Sequence, residues 1–474
     1  MTARPNVLWI SLESVRADHT SLHGYDRDTT PNLDRISRRP DATVLDPVVS
    51  GSMWTPASTA SMLTGTHMST HQLGADGKCE RKLLPSVETL PERLSEQGYR
   101  TGLFTPTYYI GPETGLDRGF DHVDDLSIRQ EDFFGYDAAT RDRIVSALRC
   151  VRGRPTTDIA TLKEEITRGK NYLLERRFDR WGHDGSTAPF FAYAHVPSPH
   201  HPYNPVTKFR DVFTDEIGMS AAEAAELSES VYTGTDGIRR RMARGLDLSD
   251  SEWEAITALY DAEIRYADST AGELISTAAS LSRRPLVIVV TGDHGDLFGE
   301  LGLIGHNLVL HDGLTHVPGL VVGIDDVVDD SETVTQHIDL TRTVGAVTGV
   351  PTEEFEGRDI RSAQRPYAIS QRGVAHLDEY TKHDERFDTS RFFEAPFTAV
   401  RTPDWKYLEN DERAVLHDLP DERTDVLDGH PAVADELSGY IDAEGIDWGA
   451  EERAESVEFS EQARDQLRDL GYLA

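Results

Sequence analysis

Short, almost wholly apolar runs rich in β-branched residues recur along the chain, with segments of helical period between them. Val7–Leu12 and Leu286–Val290 show no polar face, which is the pattern of a strand buried on both sides of a parallel sheet. Tyr99–Phe104, Phe190–His195 and Val317–Val322 read as further strands. Thr30 and Pro31 offer an N-cap and a first helical residue. Residues 86–97 read as a helix stopped by Gly98, and 219–281 as mostly helical with a polar break near Gly245. Another helix is expected from about Asp339. This alternation predicts an α/β fold built from βαβ units.

Two stretches depart from the alternation. Residues 138–182 are charged and helical in period, which predicts an excursion from the sheet. Beyond about 365 the texture shifts to short strands with turn signals, such as Phe397–Thr402 and Trp405–Leu408, with helices expected near 431–442 and 459–469. The expected organisation is a large α/β domain over 1–365 and a carboxy-terminal antiparallel-sheet subdomain over 366–474.

Three separated stretches carry candidate chemistry: Asn6–Glu13, Trp54–Thr59 and Pro285–Asp296. In open α/β sheets, ligands collect outside the carboxyl ends of the strands. Glu13 after one strand and Asp293-His294 after another therefore point to one site. Thr55 precedes Pro56 and the helix-compatible Ala57–Leu63, so it is expected at a helix amino terminus, where free N–H groups favour negative charge. Its hydroxyl becomes a candidate nucleophile if a metal lowers its pKa. Glu13, Asp293, His294 and the Thr55 oxygen form a hard, mostly oxygen donor set suited to Mg²⁺, Mn²⁺ or Ca²⁺.

Among the histidines, His200 lies in a loop braced by Pro199 and Pro202, which could aim its ring at an anionic oxygen. His306 follows on the loop after Asp293 and could protonate a leaving group. His195, His201, His311, His316 and His337 show no such placement and read as structural.

Charge narrows the partners. The 474-residue chain carries a formal charge of -35, with 83 acidic and 48 basic residues. Only seven of the basic residues are lysine, against forty-one arginines. An acidic, lysine-poor surface is expected of a protein from a salt-loving organism. It disfavours nucleic acid and anionic membranes, which need basic patches, but not a small anionic ester held by a metal. Cys79 and Cys150 are too few for a disulfide framework. No run approaches the roughly 18 apolar residues of a membrane span, and the first residues lack a signal peptide's layout. The expected location is the cytoplasm, and the oligomeric state is left open.

Pro5–His19, with Gly24-Tyr25 and Thr30–Asp34 after it, resembles the opening of sulfatases of the alkaline phosphatase superfamily. So do Ser58–Gly65, Gly115–Asp121, Pro199–Tyr203, Asp293–Gly295 and His316–Leu320. The resemblance runs from about residue 4 to 350, and more loosely through Val400–Tyr407 and His417–Glu422. It implies an α/β/α sandwich with a small carboxy-terminal subdomain, and hydrolysis of sulfate or phosphate esters.

The departures are as informative. Sulfatases carry a Cys or Ser that becomes formylglycine ten residues before a Thr-Gly glycine, followed by any residue, Pro, Ser and Arg. Ten residues before Gly65 stands Thr55, in Thr-Pro-Ala-Ser-Thr. The family's paired aspartates are here Glu13 and Ser14, and its Gly-Lys-Trp-His-Leu-Gly stretch is here Thr105–Gly111. A later lysine position falls near His306-Asn307, which makes Asn307 a candidate substrate contact. The resemblance so altered implies no formylglycine and a threonine nucleophile with one divalent metal, as in the phosphoglycerol-transferase branch. Phosphoglycerol-transferase-like transfer, or phosphodiesterase or phosphonate monoester hydrolase activity, is the alternative. A further alternative is a non-catalytic protein on this fold, given the missing arginine and lysines.

Overall fold

The computed structural model describes residues 4–126, 170–214, 217–232, 234–328, 333–362, 365–449 and 455–457. The helical residues expected over 138–169 and the helix expected near 459–469 lie outside them.

Seven strands form the central sheet: β1 (Asn6–Leu12), β2 (Ala42–Val44), β3 (Arg100–Phe104), β4 (His122–Asp124), β5 (Phe190–Val196), β6 (Leu286–Gly292) and β7 (Gly319–Val322). Their spatial order is β2-β7-β6-β1-β5-β3-β4. The five strands from β6 to β4 in that order run parallel, whereas β7 is antiparallel to both β6 and β2, so the sheet is mixed. Val317–Val322, expected as one strand, is divided at Pro318, which has no N–H to give a ladder. His316–Val317 pairs instead with Val48–Val49 in a small separate sheet.

The helices are α1 (Pro31–Ser37), α2 (Thr55–Thr64), α3 (Leu90–Glu96), α4 (Lys170–Gly182), α5 (Ala221–Val231), α6 (Gly234–Arg244), α7 (Asp250–Leu281), α8 (His337–Thr348) and α9 (Pro431–Glu444). Strand β1 is buried along its whole length, and its side chains alternate between two layers because a strand repeats every two residues. Leu8, Ile10 and Leu12 share a core with Ile256, Leu259 and Ile264 of α7. Val7 and Trp9 share the opposite core with Leu63 of α2, Leu94 of α3 and Val344 of α8. This two-sided packing makes the α/β/α sandwich. Each fully buried Leu, Ile or Val contributes about 1.5–3 kcal/mol relative to exposure, so packing outweighs local propensity.

Helix starts illustrate the same priority. Thr30 makes no side-chain cap for α1; its hydroxyl accepts from Leu22 N at 2.9 Å. The open N–H groups of Asn32 and Leu33 go to the buried Asp268 of α7, at 3.0 and 2.9 Å, a carboxylate placed where the helix dipole favours it. Helix α3 starts later than expected, at Leu90, behind a Thr89–Glu92 capping box.

A second, antiparallel sheet is made by β8 (Ala368–Arg372), β9 (Phe397–Arg401), β10 (Trp405–Glu409) and β11 (Ala414–Asp418), in that order. One face packs Ile369, Val400, Tyr407 and Leu416 against Leu437 and Ile441 of α9. The other packs Phe397, Ala399, Leu408 and Val415 against Leu310 and Phe393. Lys406, buried on β10, donates to Leu310 O (3.0 Å) and Glu422 (2.7 Å) and pairs with Asp312 at 2.5 Å. It thereby ties this sheet to the segment just after His306.

Candidate active site

Strand register brings the acidic groups together. Leu12 pairs with Val196 on one side and Gly292 on the other, so Glu13 and Asp293 leave neighbouring strands side by side. Glu13 N donates to Val196 O and Asp293 N to Leu12 O, at 3.0 and 3.1 Å. The chain then turns sharply at Ser14, whose φ of 57° is left-handed. For a residue other than glycine this costs on the order of 1–3 kcal/mol and persists only where the surroundings enforce it. Here Ser14 N donates to Asp293 Oδ1 (2.9 Å), and Tyr260 OH donates to Ser14 O (2.7 Å).

Thr55 is the first residue of α2, and Pro56 follows it. Every residue of this helix is buried, consistent with its small and apolar side chains all round. Its carboxyl end turns at Gly65, at φ 67°, where a Cβ would come within 2.8 Å of Phe355. Thr55 Oγ1 donates to Glu13 Oε1 at 2.8 Å and lies 3.3 Å from His294 Nε2. Ligand atoms of Glu13, Asp293 and His294 all lie within 4.8 Å of one another.

The hydrogen bonds prepare these donors for a cation. His294 Nδ1 bonds Gly295 O at 2.8 Å; the ring therefore carries its proton on Nδ1 and a lone pair on Nε2. Position 295 has room only for glycine, since a Cβ there would lie 2.2 Å from Gly313 O. Asp293 Oδ1 accepts from Ser14 N and His294 N, while Oδ2 is buried and accepts no hydrogen bond among the described residues. Two buried carboxylates, a neutral imidazole nitrogen and a hydroxyl fit one hard divalent ion.

Glu13 has a second partner, His195, whose Nε2 lies 2.5 Å from Oε2. Burial opposes ionisation of Glu13, but the charge and hydrogen bond of His195 hold its carboxyl well below the usual range. Burial likewise works against charging His195, yet the Glu13 carboxylate wins and raises its pKa. Asp293 shifts upward, driven by burial and by Glu13 against the pull of His294.

Beside this group lies a cluster of imidazoles. The ring of His306 is 4.5 Å from that of His294 and 5.3 Å from that of His201. His200 and His201 are 4.5 Å apart, and His200 Nδ1 bonds His201 O at 2.7 Å. Burial pushes His200 down to about 4 and His201 well below its ordinary value, so both rings are neutral at physiological pH. His306 behaves differently: burial opposes its charge, but its Nδ1 bond to Asp296 (2.8 Å) raises its pKa.

Thus the structure brings Glu13, Thr55, Asp293, His294, His200 and His306 into one region. Asn307 sits half-buried on the adjoining turn, its Nδ2 donating to Ile304 O at 3.2 Å. Two histidines expected to be structural, His195 and His201, touch the site. His195 occupies the end of a strand that is otherwise apolar, and it pairs in register with Ser11 of β1; that polar break was the available signal. The other three make bonds of their own: His311 caps a short helix, His316 bonds Asp46 and His337 bonds Gly292 O. Asp261 and Asp268 of α7 are both buried anchors. Asp261 accepts from Tyr25 and Arg27 and bonds His19, fixing the loop after β1.

The family model for sulfatases matches residues 5–350. The chain belongs to the sulfatase family. A sulfatase of Formosa agariphila is 23% identical over 336 residues, which cover 68% of this chain and 64% of that protein; the match thus spans less than two-thirds of that relative. Among solved structures, the phosphonate monoester hydrolase of Agrobacterium radiobacter superposes with a TM-score of 0.69 at 18% identity, covering 93% of this chain and 95% of that one. A 2-O glycosaminoglycan sulfatase superposes with a TM-score of 0.65 at 16% identity, covering 98% and 96%. At such identities the likeness establishes the alkaline phosphatase-like fold alone. Among the described residues, no helix is long and apolar enough to cross a membrane.

Proposed function

We propose that this sulfatase-family chain is a metal-dependent hydrolase of small anionic sulfate or phosphate-type esters, with Thr55 as nucleophile. The observation that carries the reading is the Thr55 hydroxyl, set at a buried helix amino terminus, 2.8 Å from Glu13 Oε1 and 3.3 Å from His294 Nε2. Glu13, Asp293, His294 and the Thr55 oxygen would hold one Mg²⁺, Mn²⁺ or Ca²⁺ ion. Its charge would lower the hydroxyl's pKa and offset the substrate's negative charge. Thr55 Oγ1 bonds to the sulfur or phosphorus as the ester oxygen leaves, and its proton passes to Glu13 Oε1, the acceptor it already faces. His200, whose Nδ1–H already goes to His201 O, steadies the anionic oxygens through Nε2 once the bound anion draws a second proton onto the ring; His306 gives a proton to the departing oxygen, and Asn307 contacts the substrate. Water then attacks the covalent intermediate and returns a proton to His306, while Thr55 Oγ1 leaves and takes its own proton back from Glu13 Oε1.

Thr55 stands where family members carry a formylglycine precursor, and threonine cannot be oxidised to that aldehyde. The division into 1–365 and 366–474, a cytoplasmic location and salt tolerance belong to the same proposal. The test is turnover of nitrophenyl sulfate, phosphate, phosphodiester and phosphonate esters with each metal in molar KCl, beside Thr55→Ala. Metal-dependent turnover that vanishes in the variant supports the reading. Undiminished turnover in the variant removes Thr55 from it.

A further inference from the structure

Sequence and register clamp one carboxylate against His306. Leu297–Phe298 and Ile304–Gly305 pair as a small antiparallel hairpin in which Leu297 faces Gly305. The next positions outward are Asp296 and His306, so the hairpin itself sets them opposite each other. Its tightness depends on Gly305, at φ +66°, where a Cβ would lie 3.3 Å from His201 Nε2.

Asp296 is fully buried, and each of its oxygens has a partner. Oδ1 meets His306 Nδ1 at 2.8 Å, and Oδ2 accepts from Tyr203 OH at 2.6 Å. Tyr203 is in turn held by its backbone N–H, which donates to Ser228 Oγ at 2.8 Å, and by ring contacts with Tyr232, Tyr260 and Phe298. Arg16 holds the other side of the hairpin, donating to Asp296 O at 3.1 Å and to Glu300 at 2.6 Å. A ring fixed through Nδ1 presents Nε2 on its opposite edge, and this ring lies 4.5 Å from that of His294 between centroids.

We infer that Asp296 is the positioning residue for His306, and that Tyr203 holds Asp296 in place, so that the 296–306 hairpin aims one imidazole edge at the leaving oxygen. The inference rests on the reading of His306 as the group that meets that oxygen. A carboxylate behind a working histidine fixes both its tautomer and its direction. Neither Asp296 nor Tyr203 touches the reacting atoms in this scheme. Their removal therefore matters in proportion to how much the leaving oxygen needs a proton.

The test varies the leaving group. Turnover of a phenyl ester, a poor leaving group, is compared with that of the dinitrophenyl ester of the same acid, which departs without help. Asp296→Ala is expected to lose about 100-fold in kcat/KM, which reads the steps through leaving-group departure, on the phenyl ester, the lower end of general acid catalysis, and under about threefold on the dinitrophenyl ester. Asp296→Asn, which keeps an acceptor oxygen for Nδ1–H, should restore part of the loss. Tyr203→Phe removes a single oxygen and leaves the ring packing intact, so it is the variant that reads the network should Asp296→Ala misfold. It is expected to lose about 5–10-fold on the phenyl ester only. Equal losses on both esters, or none on the phenyl ester, would overturn the inference. Failure of the nucleophile assignment looks different: Thr55→Ala would then retain turnover on both esters, whatever contrast Asp296→Ala shows.

Discussion

His195 offers a sharp test of how the metal-binding carboxylate is held. Its Nε2 bonds Glu13 Oε2 at 2.5 Å, while Glu13 Oε1 faces Thr55. Removing the ring in His195→Ala leaves a buried carboxylate oxygen without its donor and frees Glu13 to turn from the other ligands. A hydrogen bond to a charged group is worth about 1.5–3 kcal/mol, and 1.4 kcal/mol is about tenfold in affinity. Both figures agree with the roughly 10- to 100-fold loss usual for partners standing behind metal ligands. Calorimetric titration of metal-free protein with Mn²⁺ in molar KCl should therefore show that loss in His195→Ala. His195→Gln, whose amide can still donate, should lose less. Binding by a folded His195→Ala protein within about threefold of wild type would refute the claim that His195 orients Glu13.

Three further outcomes are expected. Lys406→Met keeps the side chain's length but leaves the buried Glu422 without its lysine and the half-buried Asp312 with Arg401 alone, so urea unfolding should show a loss near the lower end of about 3–5 kcal/mol. Burial depresses His71 to about 3, and the neutral ring is locked by Leu73 N donating to Nδ1 and by Ser61 Oγ at Nε2. Because the unfolded chain binds this proton near pH 6.5 and the native one only near 3, stability should fall as pH drops through that window. His71→Gln should recover on the order of 2 kcal/mol of the loss at about pH 4.5, read from urea midpoints at that pH and at neutrality. Finally, with a formal charge of -35, the urea midpoint should rise between about 0.2 M and about 3 M KCl as salt screens self-repulsion; a flat or falling midpoint would argue against the salt-adapted reading.

The sheet was the most legible part of the sequence because β1, β5 and β6 are buried on both faces and carry little but apolar residues. Thr55's place followed from Pro56, and the convergence of Glu13 with Asp293-His294 from the rule that strand ends meet. What pattern could not reach was pairing between distant segments. Nothing local to Thr30 reveals that Asp268, far along the chain, caps its helix. Nothing around His195 reveals that β5 lies beside β1, which is what turns an apparently structural histidine toward Glu13. The Asp296–His306 contact was hidden for a related reason: the hairpin strands that create it are only two residues each, too short to show an alternating pattern.

The central claim is that Thr55 becomes covalently bonded to the group it removes from the ester. The most direct measurement is acid quenching during turnover of the best substrate, followed by intact-mass and peptide mass spectrometry. One added phosphoryl or sulfuryl group is expected on the peptide that carries Thr55, and none in Thr55→Ala. An adduct on another residue, or full turnover by Thr55→Ala, would contradict it.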